Sequence, residues 1–292
     1  MSSTAPPSTP APLSATTVLP VVSRPQELLL ALLAGVVLDR HTEPLPSRVF
    51  LDALDRLGVA APAARATLNR MVHRDLLHRG RDGREAVYTI SAACRNVLLQ
   101  GKGRVLSRTP FEHRDDRWTL LSFSLPEHHR DLRHQLRSRL QWAGFGCARD
   151  GLWIAPGTVD ITEALDGLDL PDAEDAFLDA FAAQPLPPTR MHRLVRRAWD
   201  PDALRAAHEA FLARWERHDP DTGDPLPLLA SVLADWIHLL RTDPGLPAAH
   251  LGPDWPAARS AAAFHALHDR CEQPARDAFD ASLRPPRTTA TN

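Results

Sequence analysis

At 292 residues the chain is long for one domain and comfortable for two or three. Its formal net charge of −2 excludes a uniformly basic coat for nucleic acid, and no apolar run approaches the roughly 20 residues of a membrane span. Cys94, Cys147 and Cys271 are isolated and odd in number, so neither a disulfide framework nor a paired-cysteine metal site is expected, and a cytoplasmic location fits. Only Lys102 is a lysine among the 34 basic residues, and all seven tryptophans follow Arg117. The first third therefore reads as a small aliphatic-core module, with the large aromatic cores further on.

Residues 1–23 carry no charge and are rich in Pro, Ser and Thr. They lack the basic start and apolar centre of a signal peptide and are expected to be a disordered tail. Apolar spacing predicts a helix over 26–38, through Leu28, Leu29, Leu32, Leu33, Val36 and Val37. A second is expected over 47–57, N-capped by Ser47 and ended by Gly58. Pro62 stands at or near the start of a third.

That third helix is basic. Leu68, Met71 and Val72 can face a core, while Arg65, Asn69 and His73 form one exposed row and Arg70 and Arg74 another. Two strands follow, one beginning at Leu76 and Leu77 and the other spanning 86–91. The tip between them is Arg81-Asp82-Gly83-Arg84, where Asp-Gly supplies the positive φ of a tight turn. Residues 63–84 hold six arginines (Arg65, Arg70, Arg74, Arg79, Arg81, Arg84) against Asp75 and Asp82, a local charge of +4. Three helices and a basic hairpin form the order of a winged helix-turn-helix, whose third helix enters a major groove while the wing reaches phosphates. The expected DNA-binding residues are Arg65, Thr67, Asn69, Arg70, Arg74, Arg81 and Arg84. The alternative is a solvated helix and hairpin in an Arg-rich protein.

Residues 95–117 read as a connector. Gly101-Lys102-Gly103 is no phosphate loop, since Asn96 replaces the first glycine and no Ser or Thr follows the lysine. An alternating strand is expected over 118–125, with Leu121, Phe123 and Leu125 on one face. A helix over 126–142 has Leu132, Leu136 and Leu140 on its apolar side and Arg130, Arg133, Arg137 and Arg139 elsewhere. Those arginines suit a solvated or dimer-facing surface more than a second nucleic-acid site. Short strands over 147–150 and 152–155, a helix over 159–168 and a last strand over 176–182 complete a β-α-β-β-α-β order, which is ferredoxin-like. Beyond Pro188, helices are expected over 202–217, 226–241, 257–272 and 274–283, followed by a short tail.

The chain resembles the PaaX family of bacterial transcriptional regulators of aromatic-acid catabolism. The likeness is carried by Trp118 to Pro126, by Leu132, Arg133, Arg137 and Leu140, and by Gly144-Phe145-Gly146. It continues in Gly151 to Pro156, in Arg197-Ala198-Trp199-Asp200, in Asp243 to Pro247 and in Asp254-Trp255-Pro256. Arg65 and Arg70 sit where the family usually has arginine, whereas Asp75 replaces a frequent glycine at the helix end. The fold expected is α+β and multidomain. It comprises a tail at 1–23, a winged helix-turn-helix at 24–95, a linker at 96–117, a ferredoxin-like βαββαβ domain at 118–187, an α-helical C-terminal domain at 188–284 and a tail at 285–292. The resemblance implies a homodimeric repressor on a near-palindromic double-stranded operator, released by an aryl-acyl-CoA effector such as phenylacetyl-CoA, with no cofactor and no membrane partner.

The central domain of that family resembles the CRISPR-associated endoribonuclease fold. Phe123-Ser124 stands where a metal-holding Asp would be needed, which disfavours a nuclease. His265, His268 and Cys271, at three-residue steps, make a poor metal set because the third rotates away from the first. Arg190, His192, Arg193, Arg196 and Arg197 could meet coenzyme A phosphates, but a solvated helix start is the simpler reading. Known catalytic motifs are missing. The alternative to a regulator is an enzyme, a divergent nuclease or an acyl-CoA hydrolase, brought to DNA by the winged helix.

Overall fold

The structure is a computed structural model describing residues 24–112, 116–165, 168 and 177–284. The tails at 1–23 and 285–292 and the expected strand start at Ala176 lie outside those residues. The fold is mixed α+β, with helices and two antiparallel sheets.

Helix α1 (Arg24–Leu32) continues as a π-helical turn (Leu33–Val37). Strand β1 (Leu45–Pro46) runs directly into α2 (Ser47–Arg56). The N-cap is Pro46 and no side chain caps the helix, so Ser47 is not the cap expected of it. Pairing of β1 with β3 keeps the backbone extended through Pro46, which moves the helix start one residue. Gly58 does end α2, at φ +76°, with Val59 N–H bonded to Leu54 O at 2.9 Å and Gly58 N–H to Asp55 O at 2.8 Å. Helix α3 (Ala61–His73) and the hairpin β2 (Leu77–Asp82) and β3 (Glu85–Ile90) follow. The three-stranded sheet has the order β1-β3-β2.

The expected connector is largely helix, α4 (Ala92–Val105). Ser91 caps it, accepting from Cys94 N–H at 3.0 Å. Gly101 and Gly103 lie inside the helix, where a Cβ would meet nothing within 4 Å. Their propensity cost of roughly 1 kcal/mol each is outweighed by tertiary contacts. Arg95 donates to Leu38 O at 2.6 Å, and Lys102 reaches Asp39 at 2.5 Å.

Strand β4 (Trp118–Ser124), α5 (Arg130–Trp142), β5 (Gly146–Arg149), β6 (Leu152–Pro156), α6 (Thr162–Leu165) and β7 (Phe177–Ala183) build a four-stranded sheet of order β5-β6-β4-β7. Every neighbouring pair is antiparallel. One face packs Leu121, Phe123 and Trp153 against Leu136 and Leu140 of α5. The other packs Trp118 and Ile154 against Val195 of α7 (Met191–Ala198). Between them, Gly146 sits so close to the end of α7 that a Cβ would lie 2.6 Å from Ala198 O and 2.6 Å from the Trp199 ring.

The remaining helices are α8 (Pro201–Trp215), α9 (Pro225–Thr242) and α10 (Ala257–Leu283). Helix α10 runs through Pro274, where two helices were expected. Burial of Cys271, Ala275 and Phe279 on one side holds the helix together across the missing N–H. The aliphatic residues of the first third do not close a core of their own. Leu29, Leu32, Phe50 and Leu68 join Phe211, Trp215, Leu229, Trp236, Phe264 and Phe279 in one continuous cluster. Gly35 admits that contact, since its missing side chain leaves room for Leu233 and Leu229 of α9.

Candidate nucleic-acid interface

Helix α3 buries Ala64, Thr67, Leu68 and Met71, a stripe rotated slightly from the expected Leu68, Met71 and Val72. Val72 lies at the stripe's edge, half-buried. The opposite side carries Arg65, Asn69, Arg70 and His73, all exposed. Thr67 is the correction among the expected DNA-binding residues. It is fully buried, its hydroxyl donating to Ala63 O at 2.8 Å and accepting from Arg70 Nη2 at 2.8 Å. Thr67 therefore orients Arg70 rather than offering itself to a base edge. The signal was present in the sequence, since Ala64, Thr67 and Met71 follow the i, i+3, i+7 spacing of a core stripe.

Arg74 is the C-cap residue of α3 and donates from Nη1 to Gln26 Oε1 of α1 at 3.1 Å. Asp75 adopts φ +53°, with Leu76 N–H bonded to Met71 O at 2.8 Å and Asp75 N–H to Val72 O at 3.0 Å. This is a Schellman end with aspartate at the left-handed position, which aspartate tolerates better than most residues. Ser91 Oγ donates to Asp75 O at 2.6 Å, fixing the angle between α3 and the hairpin.

In the hairpin, Asp82 pairs with Glu85, so the loop is Gly83-Arg84 rather than Asp82-Gly83. Gly83 has φ +57° and Arg84 does not, the pattern of a two-residue turn with glycine first. Strand β2 is an edge strand, and beyond Leu77 all of it is exposed, Arg79 and Arg81 included. Strand β3 lies inside the sheet and buries Val87, Tyr88 and Ile90. Near the hairpin tip, Glu85 faces Arg48, whose guanidinium also donates to Ser282 O and Leu283 O at 3.1 Å. The hairpin and α2 are thus tied to the end of α10.

Away from α3 and the hairpin, the buried histidines are paired. His208 is fully buried, with Nδ1 2.9 Å from Ser260 Oγ and Nε2 2.8 Å from Asp243 Oδ2. Its partners are also buried, and Phe111 and Trp255 flank the ring edge-on. This Ser-His-Asp set locks α8, α10 and the end of α9 together inside a core closed to substrate. His265 meets Ser107 O at 2.8 Å, and His268 lies 3.6 Å from Asp269. No group of three metal-binding side chains occurs among the described residues. Burial pushes the Cys94 thiol up to about 11 and raises that of Cys271 as well. Among the described residues no helix is long and apolar enough to cross a membrane.

Residues 112–194 match a family model described as the PaaX protein central Cas2-like domain, and residues 199–281 match the PaaX-like protein C-terminal domain. Together they cover more than half of the chain. A solved structure, the uncharacterized protein Rv0674 from Mycobacterium tuberculosis, aligns with 24% identity over 87% of this chain and 98% of that one. Its TM-score is 0.56, a likeness of fold. No curated protein sequence matches the chain. The fold and these matches define a class, the transcriptional regulators built on paired central and C-terminal domains of this kind. Within it, the chain belongs to the PaaX family. Neither matched region includes α3 or the hairpin, so the reading of those elements stands on their own geometry.

Proposed function

We propose that the chain is a DNA-binding transcriptional repressor, cytoplasmic and not an enzyme. The segment from α1 to β3 acts as a winged helix-turn-helix, with α3 in the major groove and the β2–β3 hairpin as the wing. One observation carries this reading: the exposed basic side of α3 stands beside an exposed basic hairpin, +4 in a chain of net −2. Such a local charge supplies counterion-release affinity, and the groove supplies specificity. The β5-β6-β4-β7 order supports a ferredoxin-like central domain.

Two copies would present two α3 helices to half-sites of a near-palindromic operator. The effector is of the aryl-acyl-CoA type, such as phenylacetyl-CoA, and it releases DNA by binding the DNA-incompetent state better. The shared core favours such coupling, because α1 contacts both α3 and α9 and any shift of α9 is felt at the DNA reader. The test is sequencing of DNA fragments retained by the purified full-length protein. Two half-sites with centres about one helical turn, or a multiple of it, apart are expected. Retention without sequence enrichment would overturn the reading.

A further inference from the structure

The last helix ends beside the hairpin. Arg48, in the first turn of α2, joins three elements through one guanidinium. Its Nε lies 3.6 Å from Glu85, while Nη1 and Nη2 donate to Ser282 O and Leu283 O of α10, each at 3.1 Å. Glu85 directly follows Arg84 of the hairpin loop. The end of α10 therefore stands one side chain away from the hairpin tip, a meeting made across 234 residues of sequence between Arg48 and Ser282.

A bare helix end is a poor neighbour for a phosphate backbone, because its open carbonyls carry partial negative charge. Here that charge is covered. Arg48 takes two of the carbonyls. Asp280, the acid of the last turn, is held by Arg40 at 2.5 Å and by His41 at 3.0 Å. On the hairpin, Glu85 faces Arg48, and Asp82 is left exposed beside Arg81 and Arg84.

Arg284 leaves α10 exposed, at φ −66° and ψ 138°. Pro285 bars the helix from continuing and favours an extended residue before it. Outside the described residues the sequence continues as Pro285-Pro286-Arg287-Thr288-Thr289-Ala290-Thr291-Asn292, with a second arginine, three threonines and no acid. At roughly 3.3 Å per residue, Arg287 can stand up to about 10 Å past Arg284. The matched C-terminal family region stops at residue 281, so this stretch lies beyond it.

We propose that the end of α10 launches a third DNA-contacting element, an arm whose Arg284 and Arg287 neutralise backbone phosphates on the flank next to the hairpin. The proposal rests on the DNA-binding reading above, which places the hairpin at the duplex. Arginine and threonine side chains are ordinary donors to phosphate oxygens. A basic, acid-free arm adds affinity by counterion release without reading bases. It also brings the C-terminal helical region to the DNA directly, and not only through the shared core.

The experiment is fluorescence anisotropy of the full-length protein on a duplex it retains, over a series of salt concentrations. The arm variant is Arg284→Gln with Arg287→Gln. Its companion carries Arg284→Lys with Arg287→Lys. A charge-matched control, Arg259→Gln with Arg270→Gln, lies toward the other end of α10. Arg284 is exposed, so the arm variants are expected to melt like wild type. The glutamine variant should bind about tenfold more weakly near 0.1 M salt, with the salt slope lowered by about 1.8 units for two phosphates lost. The lysine companion should bind like wild type, since a phosphate contact needs the charge and not the guanidinium, and the control should too. Equal weakening in the control would make the effect one of net charge and overturn the arm, as would a lysine companion as weak as the glutamine variant. An arm variant that binds like wild type, while Arg81→Gln with Arg84→Gln weakens binding, overturns the arm and leaves the DNA-binding reading standing. A wild-type protein that retains no duplex overturns both.

Discussion

Arg70 Nη2 donates to the buried Thr67 Oγ1 at 2.8 Å, one turn back on the same helix. An exposed cation of the helix proposed to read DNA is therefore oriented by a buried residue. Replacing Arg70 with alanine is expected to cost about 1–3 kcal/mol of operator affinity, the usual range for a base-reading arginine. Thr67→Val keeps the buried shape and removes only the hydroxyl, so its loss of affinity should be smaller. Fluorescence anisotropy on an operator duplex checks both. A Thr67→Val loss equal to that of Arg70→Ala, with helix content unchanged, would put Thr67 at the DNA.

The hairpin makes a different prediction. Arg81 and Arg84 are exposed on the edge strand and its loop. Replacing both with glutamine should weaken binding to all sequences alike and lower the salt slope by about one unit for each phosphate that an arginine no longer neutralises. An unchanged slope would mean that the hairpin points away from DNA.

Asp243 holds three groups at once. Its carboxylate faces His208 Nε2 and accepts from Gly245 N–H at 2.7 Å, while its carbonyl accepts from Arg104 at 3.1 Å. Asp243→Ala strands a buried imidazole nitrogen and a buried amide, and a loss of about 3 kcal/mol is expected. Urea unfolding measures it. A loss under about 1 kcal/mol would show that water replaces the carboxylate.

His268 is buried on α10, and burial lowers its pKa below the ordinary histidine value, outweighing the opposing pull of Glu272 and Asp269. The unfolded chain thus takes up the proton first as pH falls. This contribution is complete above about pH 6.5, the unfolded value, and is lost as pH drops through the lower folded value. His268→Gln should flatten the fall in unfolding free energy between pH 7 and 5; a curve as steep as that of wild type would place the titrating group elsewhere.

Gly146→Ala tests the junction between the central sheet and α7. Its Cβ would lie 2.6 Å from Ala198 O, a backbone atom that cannot rotate aside. Destabilisation of about 1–3 kcal/mol is expected from such overpacking. Gly103→Ala, in open space on α4, should be neutral or slightly stabilising. Equal melting temperatures for the two variants would refute the close approach.

Short-range chemistry was legible in the sequence. The glycine at position 58 and the hairpin around Gly83 announced a helix end and a turn, because each depends on the backbone angles of one or two residues. The alternation of Leu121, Phe123 and Leu125 gave a strand face for the same reason, as did the leucines of α5. The arginines of α3 were legible as a type and a spacing. Tertiary structure decided the rest, wherever the deciding partner lies far along the chain. Arg95 and Lys102 hold α4 helical through two glycines by reaching Leu38 and Asp39. The packing of Cys271, Ala275 and Phe279 carries α10 past a proline. His208 meets Asp243 and Ser260 across 35 and 52 residues of chain, so no local pattern marks the three as a set. Arg133 meets Leu125 O and Arg137 meets Asp150 across a turn, pairings that a helical wheel does not show. Sequence periodicity says which way a side chain points; what stands there to meet it is set by the packing of distant elements.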